Sequence, residues 1–163
     1  MTLPTGPHRR YDPLSDQWVL VSAGRTKRPW QGSKERRPAV DDRPSFDPDC
    51  YLCPGNTRVS GATNPRYGST FVFTNDFAAL QPDAGDAQMH EGLLRAEAQP
   101  GTCRVICFSP RHDLTLTRMD PAGVREVIDM WAEQTLDLGA DWRWVQIFEN
   151  RGAAMGASNP HPH

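Results

Sequence analysis

Two cysteines of the sequence stand at a spacing that suits a metal ion. Cys50 and Cys53 lie three positions apart, and Pro54-Gly55 ends the turn that would carry them. Two thiols on such a turn can face one tetrahedral ion, and zinc accepts sulfur at about 2.3 Å and imidazole nitrogen at about 2.0 Å. A redox pair and two packed cysteines are the alternatives. The preceding Asp47-Pro48-Asp49 lacks the strand-to-helix pattern of a thioredoxin motif, so the sequence favours a metal site.

The other two ligands of this site must come from elsewhere in the chain. Cys103 and Cys107 are one candidate pair, but they lie four positions apart on an apolar segment. If that segment is extended, their Cα atoms are about 13 Å apart, so both thiols could not reach one ion. We expect them to be small apolar residues of the core. The better candidates are His112, after a Ser-Pro-Arg turn, and His161, between two prolines, although an isolated histidine is more often structural than a ligand.

The last residues of the sequence place a second histidine beside one candidate ligand, in the run Pro160-His161-Pro162-His163. A residue before proline is restricted to extended conformations, so His161 and His163 would lie about 7 Å apart on a stiff segment. One histidine could then bind the ion while the other faces a substrate. Small residues in segment 151–158 would let backbone amides approach an anion, with Ser158 as a hydroxyl donor. A proline-rich tail with incidental histidines is the alternative.

Arginine dominates the basic residues of the chain. Lys27 and Lys34 are the only lysines among 18 basic residues. Segment 25–32 joins three cations to Trp30, which suits a phosphate or a stacked base because a guanidinium can pair with phosphate through two hydrogen bonds. A solvated basic loop is the alternative interpretation. The net charge of −2 argues against a uniformly basic nucleic-acid-binding protein.

The elements that would position these residues follow from the hydrophobic pattern and the turn residues. We predict strands at residues 17–22, 69–74, 104–109 and 144–149, and a loop at residues 82–91. Asp120 and Pro121 predict the start of a helix whose apolar residues repeat at helical spacing until Gly139 ends it. The predicted fold class is therefore α+β, an antiparallel sheet with one long helix packed on it.

Length, hydropathy and cysteine content narrow the class of protein further. The 163 residues suffice for one domain. No apolar run approaches the roughly 20 residues that span a bilayer, and the first residues lack the apolar segment of a secretory signal. Four cysteines without an export signal are typical of a reducing compartment, so the sequence predicts a cytoplasmic protein with no membrane partner.

Several of these segments occur in the order and spacing of one known family. The chain resembles the galactose-1-phosphate uridylyltransferases, which belong to the histidine-triad superfamily. The segments that carry the resemblance are His8-Arg9-Arg10-Tyr11, residues 17–22, 25–32, 50–53, 73–77 and 148–150, and His161-Pro162-His163. The resemblance implies a half-barrel-like antiparallel sheet with helices. Residues 1–163 would be the N-terminal uridylyltransferase domain, which ends at His-Pro-His. The second half of the family fold would be absent, and the chain alone should show negligible turnover.

The resemblance also implies roles for individual residues. The family's zinc ligands correspond to Cys50, Cys53, His112 and His161, and its nucleophile corresponds to His163. Its contacts to the nucleotide sugar correspond to Arg25, Thr26, Lys27, Arg28, Val59, Asn75, Asp76 and Asn150, and Ser158 matches a contact to the transferred phosphate. Because the family's arginine segment serves the neighbouring subunit's site, the resemblance implies a homodimer.

The implied activity belongs to galactose metabolism. It is the transfer of UMP from UDP-glucose to galactose-1-phosphate by a ping-pong reaction, through a uridylyl-histidine intermediate. Covalent catalysis of this kind divides one difficult displacement into two easier ones. Two alternatives remain: a related histidine-triad nucleotide phosphorylase or hydrolase, and a non-catalytic anion-binding module held together by zinc.

Overall fold

The computed structural model of the protein describes residues 4–22, 24 and 43–163. They form two compact units, one of residues 4–22, 24 and 77–104, and one of residues 43–76 and 105–163. The chain contains, in order, β1 (His8–Asp12), β2 (Gln17–Val21), β3 (Phe71–Thr74), β4 (Gln88–Glu91), β5 (Leu94–Ala98), β6 (Arg104–Cys107) and α1 (Pro121–Asp141). Short 3-10 helices cover Leu116–Arg118 and Ala153–Met155. No helix in the described ranges is long and apolar enough to cross a membrane.

The first unit contains a four-stranded antiparallel sheet in the order β2-β1-β5-β4. The β1–β2 hairpin turns through Asp12, whose carboxylate accepts hydrogen bonds from the Leu14 amide at 2.9 Å and the Ser15 hydroxyl at 2.8 Å. This is an Asx turn, in which a short carboxylate satisfies turn amides locally. Tyr11 and Trp18 face each other across the hairpin, with ring centroids 5.3 Å apart.

Of the four strands in this sheet, the sequence predicts β2 alone. β1 was not predicted, and the prediction of a loop over residues 82–91 is wrong at its end, because β4 occupies Gln88–Glu91. The sequences of β4 and β5, QMHE and LRAEA, contain no β-branched or aromatic residue. Such strands form because a neighbour pairs with their backbone, and this leaves no hydrophobic signature in the sequence.

The second unit contains the two-stranded β3–β6 sheet and a buried cluster of Cys50, Leu52, Cys53 and Cys107. Both strands were predicted: β3 begins two residues later than expected, and β6 ends two residues earlier. Tyr67, Phe71 and Phe73 stack in sequence beside the cluster, with successive ring centroids 5.0 and 5.5 Å apart. Cys107 is fully buried, as expected of a small apolar core residue, whereas Cys103 is partly exposed.

The helix α1 begins as the sequence predicts. The Asp120 carboxylate accepts a hydrogen bond from the Gly123 amide at 2.7 Å, and Pro121 opens the first turn. The prediction that Gly139 ends the helix is wrong, because the helix continues to Asp141. An interior glycine costs only about 1 kcal/mol relative to alanine, which packing and neighbouring residues can offset. Trp131 packs edge-on against Phe108, with the ring centroids 6.0 Å apart.

The prediction of a strand at residues 144–149 is also wrong. These residues have no regular secondary structure, and the side chains of Trp144 and Phe148 are 79% and 71% exposed. The segment has the composition of a strand, but among the described residues no strand pairs with it. Composition alone therefore does not form a strand without a neighbouring backbone to receive its hydrogen bonds.

Candidate functional site

Four buried side chains of the second unit converge in the way the sequence predicts. One ligand atom from each of Cys50, Cys53, His112 and His161 lies within 4.8 Å of the others. The Cys53 Sγ atom is 3.6 Å from the Nδ1 atoms of both His112 and His161. Two sulfurs and two imidazole nitrogens at these separations can hold one metal ion. Cys50, Cys53, His112 and His161 are called the four-ligand cluster below. The other cysteine pair, Cys103 and Cys107, does not belong to it.

Hydrogen bonds hold the two thiols on a tight turn. The Cys53 amide donates to the Cys50 carbonyl at 3.1 Å, and the Asn56 amide donates to the Cys53 carbonyl at 3.2 Å. Gly55 has a φ of +79°, a conformation that side-chain-bearing residues rarely adopt. The Asn56 side chain donates to the carbonyls of Asp47 and Cys50 at 2.9 and 2.8 Å. The turn is therefore formed by backbone and amide contacts and presents both thiols inwards.

Two asparagines that sequence reasoning missed stabilise this turn. Asn56 closes it from one side, and the buried Asn64 donates to the carbonyls of Tyr51 and Cys53 at 2.9 and 3.1 Å. Asn56 directly follows Pro54-Gly55, and asparagine beside glycine is a usual turn signal. Nothing in the sequence near Asn64 indicates that its side chain reaches back eleven residues.

The contacts of His161 determine which ring nitrogen faces the thiols. Its Nε2 atom lies 2.9 Å from the Ser109 carbonyl oxygen and 3.1 Å from the Tyr67 hydroxyl. A carbonyl oxygen can only accept, so Nε2 carries the proton and the lone pair lies on Nδ1, the atom that faces Cys53. The Tyr67 hydroxyl donates to the Leu52 carbonyl at 2.6 Å, which ties the histidine to the cysteine turn.

His112 also faces Cys53 with its Nδ1 atom, and the carboxylate beside its other ring nitrogen lies beyond hydrogen-bond distance. The Nε2 atom lies 3.9 Å from a carboxylate oxygen of Asp47, and the His112 amide donates to the Ser45 carbonyl at 2.9 Å. A carboxylate beyond the second ring nitrogen is a common way to orient a metal-binding histidine. The side chain is fully buried.

Burial favours the uncharged form of three of these side chains, those of Cys53, His112 and His161. It lowers the pKa of His161 to about 4, with the neighbouring His112 acting in the same direction, and it lowers the pKa of His112. Burial also raises the pKa of the Cys53 thiol to about 11. Both imidazoles are therefore neutral near pH 7, the form that binds metal ions. A thiol ligand must give up its proton when an ion binds.

His163 lies outside the four-ligand cluster. Its Nδ1 atom is 2.7 Å from the His161 carbonyl oxygen, so Nδ1 is the protonated nitrogen and Nε2 carries the lone pair. The segment before it is fixed at two carbonyls: Pro162 accepts from the Phe108 amide at 3.0 Å, and Pro160 accepts from the Arg43 guanidinium at 2.7 Å. An unprotonated imidazole nitrogen thus lies two residues from the buried His161, on a segment whose backbone is held by hydrogen bonds.

The remaining candidate residues are more dispersed. Val59 is 55% exposed on the turn between Thr57 and Thr63, and Asn75 and Asp76 directly follow β3. Asn150 is exposed, and Ser158 is buried three residues before His161. The other four candidates, Arg25, Thr26, Lys27 and Arg28, lie outside the described residues. One further charged residue, Arg58, was missed by sequence reasoning and lies 3.8 Å from Asp76.

Comparison with known proteins agrees with these features. The family model described as Galactose-1-phosphate uridyl transferase, N-terminal domain, matches residues 3–163. The galactose-1-phosphate uridylyltransferases of Haemophilus influenzae and Rattus norvegicus are 53% and 55% identical to the chain over 96% of its length. The chain covers only 45% and 41% of those two relatives, less than half of each.

Solved structures share the fold at lower identity. A uridylyltransferase mutant superposes with a TM-score of 0.65 at 19% identity, over 95% of this chain and 42% of that one. The Arabidopsis thaliana ADP-glucose phosphorylase superposes with a TM-score of 0.50 at 24% identity, over 97% of this chain and 47% of that one. These similarities bear out the α+β fold class, with antiparallel strands and one long helix.

Proposed function

The chain belongs to the family of galactose-1-phosphate uridyl transferase N-terminal domains, and we propose that it carries the nucleophile and the zinc site of a uridylyltransferase. The enzyme would exchange UMP between UDP-glucose and galactose-1-phosphate. The names of its relatives support this activity. Because the chain spans less than half of those relatives, residues beyond this half would complete the enzyme.

The observation that carries the proposal is the hydrogen bond from His163 Nδ1 to the His161 carbonyl. It leaves the Nε2 lone pair as the nucleophile. In the first step, Nε2 bonds to the α-phosphorus of UDP-glucose, and the bond from that phosphorus to the bridging oxygen breaks, which releases glucose-1-phosphate. In the second step, a phosphate oxygen of galactose-1-phosphate attacks the same phosphorus, the bond to Nε2 breaks, and UDP-galactose leaves. The Nδ1 proton stays in place, and the carbonyl stabilises the positive charge on the ring.

The four-ligand cluster fits zinc better than a redox or packing role. Two thiols and two imidazole nitrogens form a usual tetrahedral donor set for structural zinc, and the second nitrogen of His161 is already bound to protein groups. Zinc, when bound, would supply a rigid anchor for His161. Cys50, Cys53, His112 and His161 would hold the ion, and the Asn159 side chain supports this arrangement because it accepts from the His161 amide at 2.8 Å.

The substrates and partners follow from the same proposal. The nucleotide sugar would contact the arginine segment, Val59 and the polar residues after β3 and near residue 150, namely Arg25, Thr26, Lys27, Arg28, Asn75, Asp76 and Asn150. Ser158 would contact the transferred phosphate. The arginine segment would serve the neighbouring subunit of a homodimer. A cytoplasmic location suits a site whose thiols must stay reduced, and all four cysteines of the chain are free thiols.

The direct test is covalent labelling of the histidine. The chain is completed with the remaining half of its Haemophilus influenzae relative and incubated with UDP-glucose that carries a labelled uridine. We expect about one uridylyl group per chain on His163, with an equal amount of glucose-1-phosphate released. His163→Gln should abolish the label and keep the zinc, and the matched change at an exposed histidine, His90→Gln, should leave the label unchanged.

Three results would contradict the proposal. A label on another residue would assign the nucleophile elsewhere. Loss of zinc in His163→Gln would make His163 a metal ligand. Labelling by ADP-glucose in preference to UDP-glucose would favour a nucleotide phosphorylase of the same superfamily.

A further inference from the structure

Arg58 is buried in a way that protein stability alone does not explain. Its side chain is only 14% exposed, and its Nε and NH1 atoms are shielded from solvent without a hydrogen bond to any described residue. Burying guanidinium N–H groups without acceptors is costly, and an apolar side chain of similar size would fill the same space at lower cost. The buried charge of Arg58 therefore indicates that the residue has a role in the site.

The guanidinium is fixed between a ring and a carboxylate. Its Cζ atom lies 4.1 Å from the centroid of the Phe73 ring, and NH1 lies 3.8 Å from Asp76 Oδ1. Phe73 is itself the end of the aromatic stack that starts at Tyr67 beside the His161 ring. Stacking of an arginine on an aromatic face restricts the guanidinium plane, so the charge facing Asp76 has a defined position.

The backbone of Arg58 is equally constrained. Its amide donates to the Ala62 carbonyl at 2.8 Å, and its carbonyl accepts from the Gly61 amide at 2.9 Å, within the turn that Thr57 and Thr63 close. The next residue, Val59, is exposed at the tip of this turn. An inward Arg58 thus anchors the turn that presents Val59 outwards.

We propose that Arg58 is a positioning residue for nucleotide binding, which acts through Asp76 and Val59. This inference rests on the proposed function, in which both residues contact the nucleotide sugar. An ionised carboxylate can only accept hydrogen bonds, so Asp76 must present its oxygens to hydroxyl or N–H donors of the ligand in one orientation. Arg58 stabilises that orientation from the protein side and does not itself touch the ligand.

A double-mutant cycle tests this role in the zinc-loaded chain, completed with the remaining half of its Haemophilus influenzae relative as in the labelling test. UDP-glucose is titrated against the chain by NMR, with the Val59 methyl groups and the Asp76 amide as reporters. Arg58→Met and Asp76→Asn should each weaken binding about tenfold, and the double variant should lose much less than the product of the two effects, because much of the Arg58 effect passes through Asp76. Arg58→Lys, which keeps the charge but loses the planar stacking, should fall between. Arg66→Met, at an exposed arginine of the same unit, is the matched control.

Each outcome has a separate meaning. Zinc content is measured in every variant, so a misfolded Arg58→Met is recognised and the Lys variant carries the test. Unchanged binding in Arg58→Met, or effects that multiply in the double variant, would overturn the positioning role alone. If the completed chain without substitutions shows no response of Val59 or Asp76 to UDP-glucose, the nucleotide contacts of the proposed function are wrong and the inference falls with them.

Discussion

The four-stranded sheet and the four-ligand cluster are organised by different forces. In the sheet, β1 pairs with β2 on one side and β5 on the other, so backbone hydrogen bonds fix it and many side chains remain exposed. The cluster joins three separate segments, the cysteine turn, the residues after β6 and the His-Pro-His segment, through buried side chains. Paired strands need no ligand, whereas we expect the four side chains of the cluster to be held together most firmly when an ion is bound.

The largest effect should come from removing both thiols. We expect about one zinc ion per chain in the unmodified protein and none in Cys50→Ser with Cys53→Ser, which forfeits a binding free energy of roughly 10–16 kcal/mol. Metal analysis after gel filtration gives the occupancy. Cys103→Ser, outside the cluster, is the control and should keep its zinc. Zinc retained by the double variant but lost from Cys103→Ser would show that the ligands were assigned wrongly.

Acid should weaken the second unit of the metal-free chain. Burial gives His161 a pKa of about 4, against about 6.5 in an unfolded chain. Between these values the unfolded state binds more protons, so stability is unaffected above pH 6.5 and falls as the pH drops towards 4. The loss over this window is about 3 kcal/mol, which urea unfolding at several pH values would measure. His161→Gln should reduce this slope and leave the part that comes from the buried His112, and an unchanged slope would assign the effect to other groups.

A smaller effect is expected from the hydroxyl of Tyr67. Tyr67→Phe removes the contact to His161 Nε2 and the bond to the Leu52 carbonyl. Loss of such an outer contact lowers metal affinity about tenfold or more, because the ligand is less well oriented. Competition with a chelating dye measures the affinity, and the cobalt absorption bands report the geometry. Tyr51→Phe, at a half-buried tyrosine of the cysteine turn, should change neither quantity.

The smallest effect is predicted for a substitution in the four-stranded sheet. Arg9 forms an ion pair with Glu97 at 2.6 Å and stacks on Trp18 at 4.5 Å, on a partly exposed face. Arg9→Ala should lower the free energy of unfolding by about 1 kcal/mol and leave the zinc affinity unchanged. Chemical denaturation and dye competition measure the two quantities. A parallel loss of zinc affinity would show that the two regions are not independent.

The sequence predicts the cluster better than it predicts the sheet. Residue type and spacing single out Cys50 and Cys53, and the separation of about 13 Å on an extended segment argues against the Cys103–Cys107 pair, so few candidate ligands remain. The β-rich or apolar strands β2, β3 and β6 are also predicted, as is the start of α1 at Pro121. These features depend on local patterns that a single sequence displays.

The missed features depend on neighbours that are distant in the sequence. β4 and β5 are polar strands that exist through pairing, and residues 144–149 have strand composition without a partner. In the sequence, Arg58 and Asn64 look like ordinary loop residues. Their roles come from contacts in the folded chain, of Arg58 with Asp76 and of Asn64 with the cysteine turn. Long-range contacts of single side chains leave no periodic signal, and so they were found only in the structure.

The central claim is that zinc bound by the four-ligand cluster is needed, in addition to the hydrogen bonds at Pro160 and Pro162, to hold the segment that carries His163. Amide hydrogen exchange of the zinc-loaded and chelator-treated chain tests it most directly. We predict that removal of zinc lowers the protection of the amides of Cys53, Phe108 and His112 about tenfold or more, while the paired amides of β1 and β5 change little. Equal loss of protection in both regions, or no loss at Phe108, whose amide binds the Pro162 carbonyl, would contradict the claim.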